Sequence, residues 1–495
     1  MIVLLLFLIP LISGFLAFFM KNDRTVRNWA LISSLLTLVI TLAGAWWIKT
    51  PGQLSFHADW MGSLGSSFSL KLDGMSQMLC LLTAVAYPLI LISTWKSDYK
   101  KPNNFFALML LTQAGLMGVF TATDALLFYF FWELALIPVY FLCSGWGGPR
   151  RVPVTFKFFI YTFLGSVLML VGLLYIYFQT PDRSFAIESF YAADLARSVS
   201  GTAQSFLFWT LFIAFAIKMP VFPFHTWQPD TYEQSPTAVT MVLSGIMVKM
   251  GVFGLIRWVL PVLPLSSYAW GDVVMSLSVA GIVYASIIAI QQDDLKRLIA
   301  YSSIAHIGLM ATAIFAENKS GFQGVMIQMF SHGINIIGLW IVVELIERQF
   351  KTRKLSELGG IAQKAPALSI LLVIVALANI ALPLTNGFIG EFLMFNGIWN
   401  SQVTSFRMIF AAVAGLSIIL AAAYTLNMIS KVFFGHTNAV TEQARDIHMN
   451  EKLALSLIVG MIIVFGVYPQ PLLNLTNGFV DNLLNEINVG PFFRK

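Results

Sequence analysis

Six ionisable residues stand in sequence that is otherwise almost wholly apolar. Glu133 lies in Phe130-Phe-Trp-Glu-Leu-Ala-Leu-Ile-Pro138, with apolar residues on every helical face. Lys218 precedes Pro220 by two residues, and Lys249 sits in Ser244-Gly-Ile-Met-Val-Lys-Met-Gly251. His306 and His332 lie inside apolar runs, and Glu391 closes Asn386-Gly-Phe-Ile-Gly-Glu391. An ionisable group at the centre of a bilayer costs at least ~2.5 kcal/mol, so several in one chain imply partners and a task. Their types suit reversible proton carriage. A lysine beside a helix break can be hydrated, its affinity for the proton falling on desolvation and rising beside a carboxylate. Histidine titrates near neutrality.

Each residue also has a purely structural reading. Glu133 could be one half of an ion pair between helices, and Lys249 its counter-charge. Lys218 could snorkel, although a mid-span position argues against that. Glu391 could cap a restarted half-helix at its positive end. The two histidines could be hydrogen-bonded core, and two His on facing helices could ligate haem, which nothing else in the chain supports. Asp124, Asp293, Asp294, Lys296 and Arg297 fall at helix ends and read as interfacial anchors. Taken together, the six buried groups form a polar line through apolar helices. Bulk cations need oxygen-rich cages, and no such cluster occurs. No phosphate-cradling loop is present, so ATP is not the driver.

Composition places these residues in a membrane. Of 495 residues, 58% are hydrophobic and only 11% charged, against roughly a quarter charged in a soluble domain. Forty-two Phe and 13 Trp exceed what one soluble core can hide. The net charge of +6 is therefore read as topology before nucleic-acid binding, which is not expected. Cys80 and Cys143 sit in apolar runs with no metal or disulfide spacing. The six His (57, 225, 306, 332, 436, 448) form no ligand motif. No metal, haem, flavin or iron–sulfur cluster is expected in this chain. The first apolar run carries its basic flank after it (Lys21, Arg24, Arg27), the pattern of a retained helix and not of a cleaved leader.

A crossing needs about 20 mostly apolar residues. Fourteen candidates are legible, near 2–19, 29–48, 77–95, 105–123, 125–143, 157–178, 205–224, 237–258, 270–291, 297–316, 322–346, 367–400, 406–430 and 453–470. The twelfth, with Ala381-Leu-Pro-Leu-Thr-Asn-Gly387, is one crossing broken by Pro and Gly, and the seventh is broken at Lys218-Met-Pro-Val-Phe-Pro. Alternating loops divide Lys and Arg nineteen to nine, which puts both termini on the outer side of the membrane. Two interrupted helices five crossings apart point to inverted repeats. The expected fold is all-α and polytopic, with two inverted five-helix repeats. Its divisions are an N-terminal segment at 1–104, repeats at 105–258 and 259–433, and a C-terminal helix and tail at 434–495.

Four blocks resemble the antiporter-like membrane subunits of respiratory complex I, the proton-pumping NADH:quinone oxidoreductase. They are Phe131-Trp-Glu-Leu-Ala-Leu-Ile-Pro138; Lys218 to Trp227 with Ser235 to Gly251; Asp293-Asp-Leu-Lys-Arg-Leu-Ile-Ala-Tyr-Ser-Ser-Ile-Ala-His-Ile-Gly308; and Asn386 to Glu391. The resemblance implies fourteen helices in two inverted repeats. It implies Glu133 and Lys218 as the paired charges of an input half, Lys249 and His332 as central connectors with His306 near them, and Glu391 as the terminal carrier. Glu at 391, where the L and N types usually carry Lys, and the lack of a long lateral helix resemble the M type. It further implies that NADH, FMN, iron–sulfur clusters and quinone belong to partner subunits, and that the paralogous L and N types are neighbours in the membrane. Subunits of a multisubunit sodium/proton antiporter or of a membrane-bound hydrogenase complex are the rival readings. One departure stands out: Trp227-Gln-Pro-Asp-Thr-Tyr232 carries Tyr where the family usually has His.

Overall fold

The computed structural model describes residues 2–48 and 50–487. The chain enters with α1 (Ile2–Ala17) and α2 (Asp23–Leu42), the latter capped by the Asn22 side chain, which accepts from the Arg24 and Thr25 amides. A two-stranded antiparallel hairpin follows, β1 (Ser55–Met61) with β2 (Ser66–Lys71). Then come α3 (Gly74–Ser93), α4 (Pro102–Thr121), α5 (Ala125–Trp146) and α6 (Arg151–Gln179). Two short helices, α7 (Ile187–Ala192) and α8 (Leu195–Ser198), lead into α9 (Gly201–Lys218). Aspartates start several of these elements: Asp73 caps α3 and Asp124 caps α5, each side chain accepting the free amides of the first turn.

The chain breaks immediately after Lys218. Pro220 and Pro223 cannot donate to a helical ladder, and residues 219–227 run as turns before α10 (Gln228–Gln234). The next crossing, Thr237–Val259, is built from α11 (Thr237–Val242) and α12 (Val248–Gly254) with a π-helical turn after each, Leu243–Met247 and Leu255–Val259. Then follow α13 (Pro264–Gln291), α14 (Leu295–Ile314) and α15 (Lys319–Phe350). A second break, Ile380–Thr385 around Pro383, separates α16 (Pro366–Asn379) from α17 (Asn386–Trp399). The chain ends with α18 (Arg407–Phe433), α19 (Met449–Val467) and α20 (Gln470–Glu486).

Twelve helices among the described residues are long and apolar enough to cross a membrane, and α1 and α16 are shorter apolar helices. Burial sorts them radially. Thr237–Val259 and α15 are almost entirely enclosed, whereas α2, α6, α18 and α19 present apolar side chains outward, such as Ile32, Leu164 and Ile419. Outward Ile and Leu on a bundle whose interior is already packed is the signature of a lipid-facing wall.

Loops gather at two ends. At one end the Gly148 amide donates to the Gln234 carbonyl, Trp146 to Lys100 and Arg353 to Asp294 and Glu347. At the other, Ser66 donates to Asp124, Tyr191 to the Arg257 carbonyl, and Arg257 forms a two-pronged pair with Asp73 at 2.5 and 2.8 Å. These contacts join loops after odd-numbered apolar segments, the third to the eleventh, at the first end, and loops after even-numbered ones, the second to the eighth, at the second.

The hairpin at 55–71 and the helices α7, α8, α10 and α20 lie outside the candidate crossings. The amphipathic α20 docks on α3 and α15, with Gln323 donating to Asn477 and Lys319 paired with Asp481.

Candidate functional site

Four of the six residues form one contiguous file in the second half of the chain. Lys249 lies on α12 between the two π-helical turns, and its crossing meets α15 where Gly245 and Gly333 face each other. A Cβ on Gly333 would come within 2.9 Å of the Gly245 carbonyl oxygen, so glycine is what lets these backbones approach. Lys249 is one turn beyond Gly245 and His332 is next to Gly333. That close approach brings Lys249 Nζ to 2.8 Å from His332 Nδ1, with the Ser244 carbonyl as its second acceptor at 2.9 Å. The Lys249 side chain has 0% exposure. π-helical turns flanking it widen the helix locally, a device common where a buried side chain has a function.

From His332 the file continues to His306 of α14, whose ring centroid is 5.4 Å away. His306 Nδ1 then lies 3.2 Å from Glu391 Oε1. All four groups are buried, and Nε2 of both histidines lacks a hydrogen-bond partner among the described residues, so each ring has a nitrogen with which to take or give a proton. Glu391 sits on the second turn of α17, beyond the first-turn amides that a cap would satisfy. The capping reading therefore fails, and so does the reading of Lys249 as counter-charge to Glu133.

Glu133 and Lys218 form a separate pair. Lys218 is the last residue of α9, where Pro220 ends the helix, and it is 2% exposed. Among the described residues its Nζ has no hydrogen-bond partner, and it lies 5.4 Å from the centroid of the Trp132 ring. Glu133 is half-buried on α5, and its Oε1 also lacks a partner. The two groups do not close to an ion pair: no N–O contact within 4.0 Å joins them among the described residues. An ammonium over an indole face gains a cation–π attraction of about 0.5–2 kcal/mol, which holds it without a carboxylate in contact. Sequence reading missed Trp132, although it stands beside Glu133 in the same motif.

The helix-end charges do more than anchor. Arg297 contacts Asp230 at 3.1 Å and Glu233 at 3.0 Å. Lys157 pairs with Asp230, Lys296 with Glu347, and Arg353 with Glu233, Asp294 and Glu347. This network joins α6, α10, α14 and α15 around a cavity of ≈ 690 Å³ at the odd-loop end. For Asp230, burial opposes ionisation, but hydrogen bonds from Lys157 and Arg297 overcome it and hold the carboxyl below its usual range. Burial likewise opposes ionisation of Glu233, and the Arg297 hydrogen bond with the Arg353, Arg297 and Arg150 charges holds it low. Tyr232, in place of the usual family histidine, is fully buried against Trp227 and Trp340. Burial drives its phenol well above the ordinary value, so it stays neutral.

A buried file of lysine, two histidines and a carboxylate, beside a second lysine–carboxylate pair at a helix break, defines an intramembrane proton-handling protein. The sequence profile of the family described as NADH:quinone oxidoreductase/Mrp antiporter membrane subunits matches residues 122–417. The chain belongs to that family. It is 36% identical to NADH-quinone oxidoreductase subunit M of Rickettsia typhi, over 94% of this chain and 93% of that one. It is 34% identical to F420H2 dehydrogenase subunit M of Methanosarcina mazei, over 95% of each. Among solved structures it superposes on a chain of respiratory complex I from Thermus thermophilus with a TM-score of 0.89 and 26% identity, covering 99% of this chain and 100% of that one.

Proposed function

We propose that this chain is the M-type proton-translocating membrane subunit of an NADH:quinone oxidoreductase. The observation that carries this is the file Lys249–His332–His306–Glu391, in direct nitrogen–nitrogen and nitrogen–oxygen contact at its two ends and with the two imidazole rings 5.4 Å apart, centroid to centroid, at its centre. Relatives named as subunit M at 36% identity over nearly the whole chain support the same reading. Glu133 and Lys218 form the input half, Lys249, His332 and His306 the central connection, and Glu391 the output carrier. NADH, FMN, iron–sulfur clusters and quinone reside in partner subunits, which include the paralogous L- and N-type chains. Moving one proton against 100 mV costs about 2.3 kcal/mol. Redox chemistry elsewhere in the complex supplies that, and this chain converts it into ordered changes of proton affinity along the file.

The chain crosses the bacterial plasma membrane fourteen times, counting α1 and the broken α16–α17 as one crossing each, with both termini periplasmic. The grouping of odd loops at one end and even loops at the other supports that count. The Lys218 and Pro383 breaks are counterparts in two inverted repeats, 105–258 and 259–433. The test is purification of the parent complex from membranes through a tag on this chain. Recovery of NADH-dehydrogenase, L- and N-type subunits, with a NADH-driven proton gradient after reconstitution, supports the reading. Recovery of only cation-antiporter or hydrogenase subunits overturns it.

A further inference from the structure

Beside the output carrier lies a feature the file does not use. Tyr424 of α18 is 1% exposed, and its hydroxyl donates to Ser302 Oγ at 3.0 Å. Asn379, the last residue of α16 before the break, donates to the same oxygen at 3.2 Å. Ser302 is one turn from His306 on α14. A cavity of ≈ 10 Å³, lined by His306, Glu391, Ser417 and Tyr424, separates the Tyr424 ring from the carboxyl. That is space on the scale of one water molecule, in a site polar enough to hold one.

Two donors on one serine oxygen are more than that oxygen needs. When Tyr424 turns away, Asn379 keeps Ser302 satisfied, so the phenol leaves without stranding a buried acceptor. Glu391, by contrast, has only His306 as a polar contact within hydrogen-bonding range among the described residues. The ionisable groups facing it are His306 from α14, with His332 of α15 behind, and Tyr424 from α18. Among the described residues, α16 and α19 bring none to it.

We propose that the Tyr424 hydroxyl is a switchable hydrogen-bond donor, resting on Ser302 and turning to Glu391, directly or through the cavity water, as that carboxyl gives up its proton. In the step, the Glu391 O–H bond breaks and the proton passes to the cavity water. Tyr424 breaks no covalent bond and only redirects its own O–H. A donor that reaches the charged form favours release. Tyr424 is thus a positioning residue that sets when the output carrier discharges. The inference rests on the output role assigned to Glu391 above.

The test is the pH profile of proton pumping by the reconstituted complex. Tyr424→Phe keeps the ring and removes the donor, and its profile should shift alkaline by about half a unit or more. Ser302→Ala removes the resting acceptor, frees Tyr424 for Glu391, and should shift the profile the opposite way. Glu391→Gln in the same preparation separates the two claims. If Glu391→Gln pumps normally, the output role fails. If Glu391→Gln abolishes pumping while Tyr424→Phe and Ser302→Ala leave the profile in place, or shift it in the same direction, the switch is overturned. A uniform loss of rate without a shift marks Tyr424 as packing only and overturns it equally.

Discussion

Lys249 and His332 meet nitrogen to nitrogen, Nζ to Nδ1 at 2.8 Å, and neither side chain reaches solvent. Such a contact holds only if one nitrogen carries the proton and the other offers a lone pair. In the proposed role the pair passes one proton, between ammonium with neutral imidazole and amine with imidazolium. That transfer is the elementary step of the proposed relay. His332→Gln leaves an oxygen for Lys249 to donate to but no group that relays. Complex assembly should survive, and pumping should fall roughly a hundredfold, the usual worth of a positioned proton-transfer group. Native electrophoresis with a gradient assay checks both.

At the input pair the expected outcomes follow from the absence of a direct ion pair. Lys218 rests on Trp132 and not on Glu133, so its ammonium can be discharged without first breaking a contact ion pair. Lys218→Arg should pump poorly, because guanidinium does not release its proton in any accessible range. Lys218→Met guards against a steric explanation and should fail as well. Glu133→Gln should lower turnover strongly, and Glu133→Asp less so, since the charge survives on a shorter arm. Near-normal proton uptake with Lys218→Arg would leave Lys218 a structural charge.

At the odd-loop end, the network around Asp230 and Glu233 gives a pH signature. Both carboxyls titrate below their usual range in the folded chain, where the unfolded values are about 3.9 and 4.3. A depressed carboxyl stabilises the fold above its unfolded pKa and loses that contribution as pH falls through the folded value. Protection of the amides over 228–236 and 351–357, corrected for the intrinsic pH dependence of exchange, should thus fall below about pH 4 and stay flat from 5 to 8. Arg353→Ala should raise exchange there already at neutral pH. Each partly exposed pair is worth only about 0–1 kcal/mol, so local opening and not global unfolding is the readout.

Topology is tested with cysteines at exposed sites on opposite ends. Glu188 and Lys351 are exposed. Glu188→Cys should label from the periplasm and Lys351→Cys from the cytoplasm. Labelling of both from one side would contradict the count of fourteen crossings.

How much of this was legible in the sequence depends on the range of the interaction. The six buried ionisable residues stood out because a charge in an apolar run is conspicuous, and both broken helices were marked by their prolines. The ends of α9 and α16 came earlier than hydropathy alone suggested, because proline excludes the preceding residues from the helix. The hairpin at 55–71 was hidden by its half-exposed, polar-rich strands. The partners were illegible in kind: nothing local links Tyr424 to Ser302, or Glu233 to Arg353, across more than a hundred residues. Gly245 and Gly333 could be read as small residues, but not as the pair that sets the Lys249–His332 distance.

The central claim is that protons travel through this chain by way of Lys249. The most direct measurement is the proton gradient built by the reconstituted complex carrying Lys249→Met, which keeps the length and apolar bulk of the side chain but cannot bind a proton. The account predicts an assembled complex whose NADH-driven gradient is lost or reduced at least roughly tenfold at equal quinone-reductase loading. A gradient indistinguishable from that of the unaltered complex would contradict it.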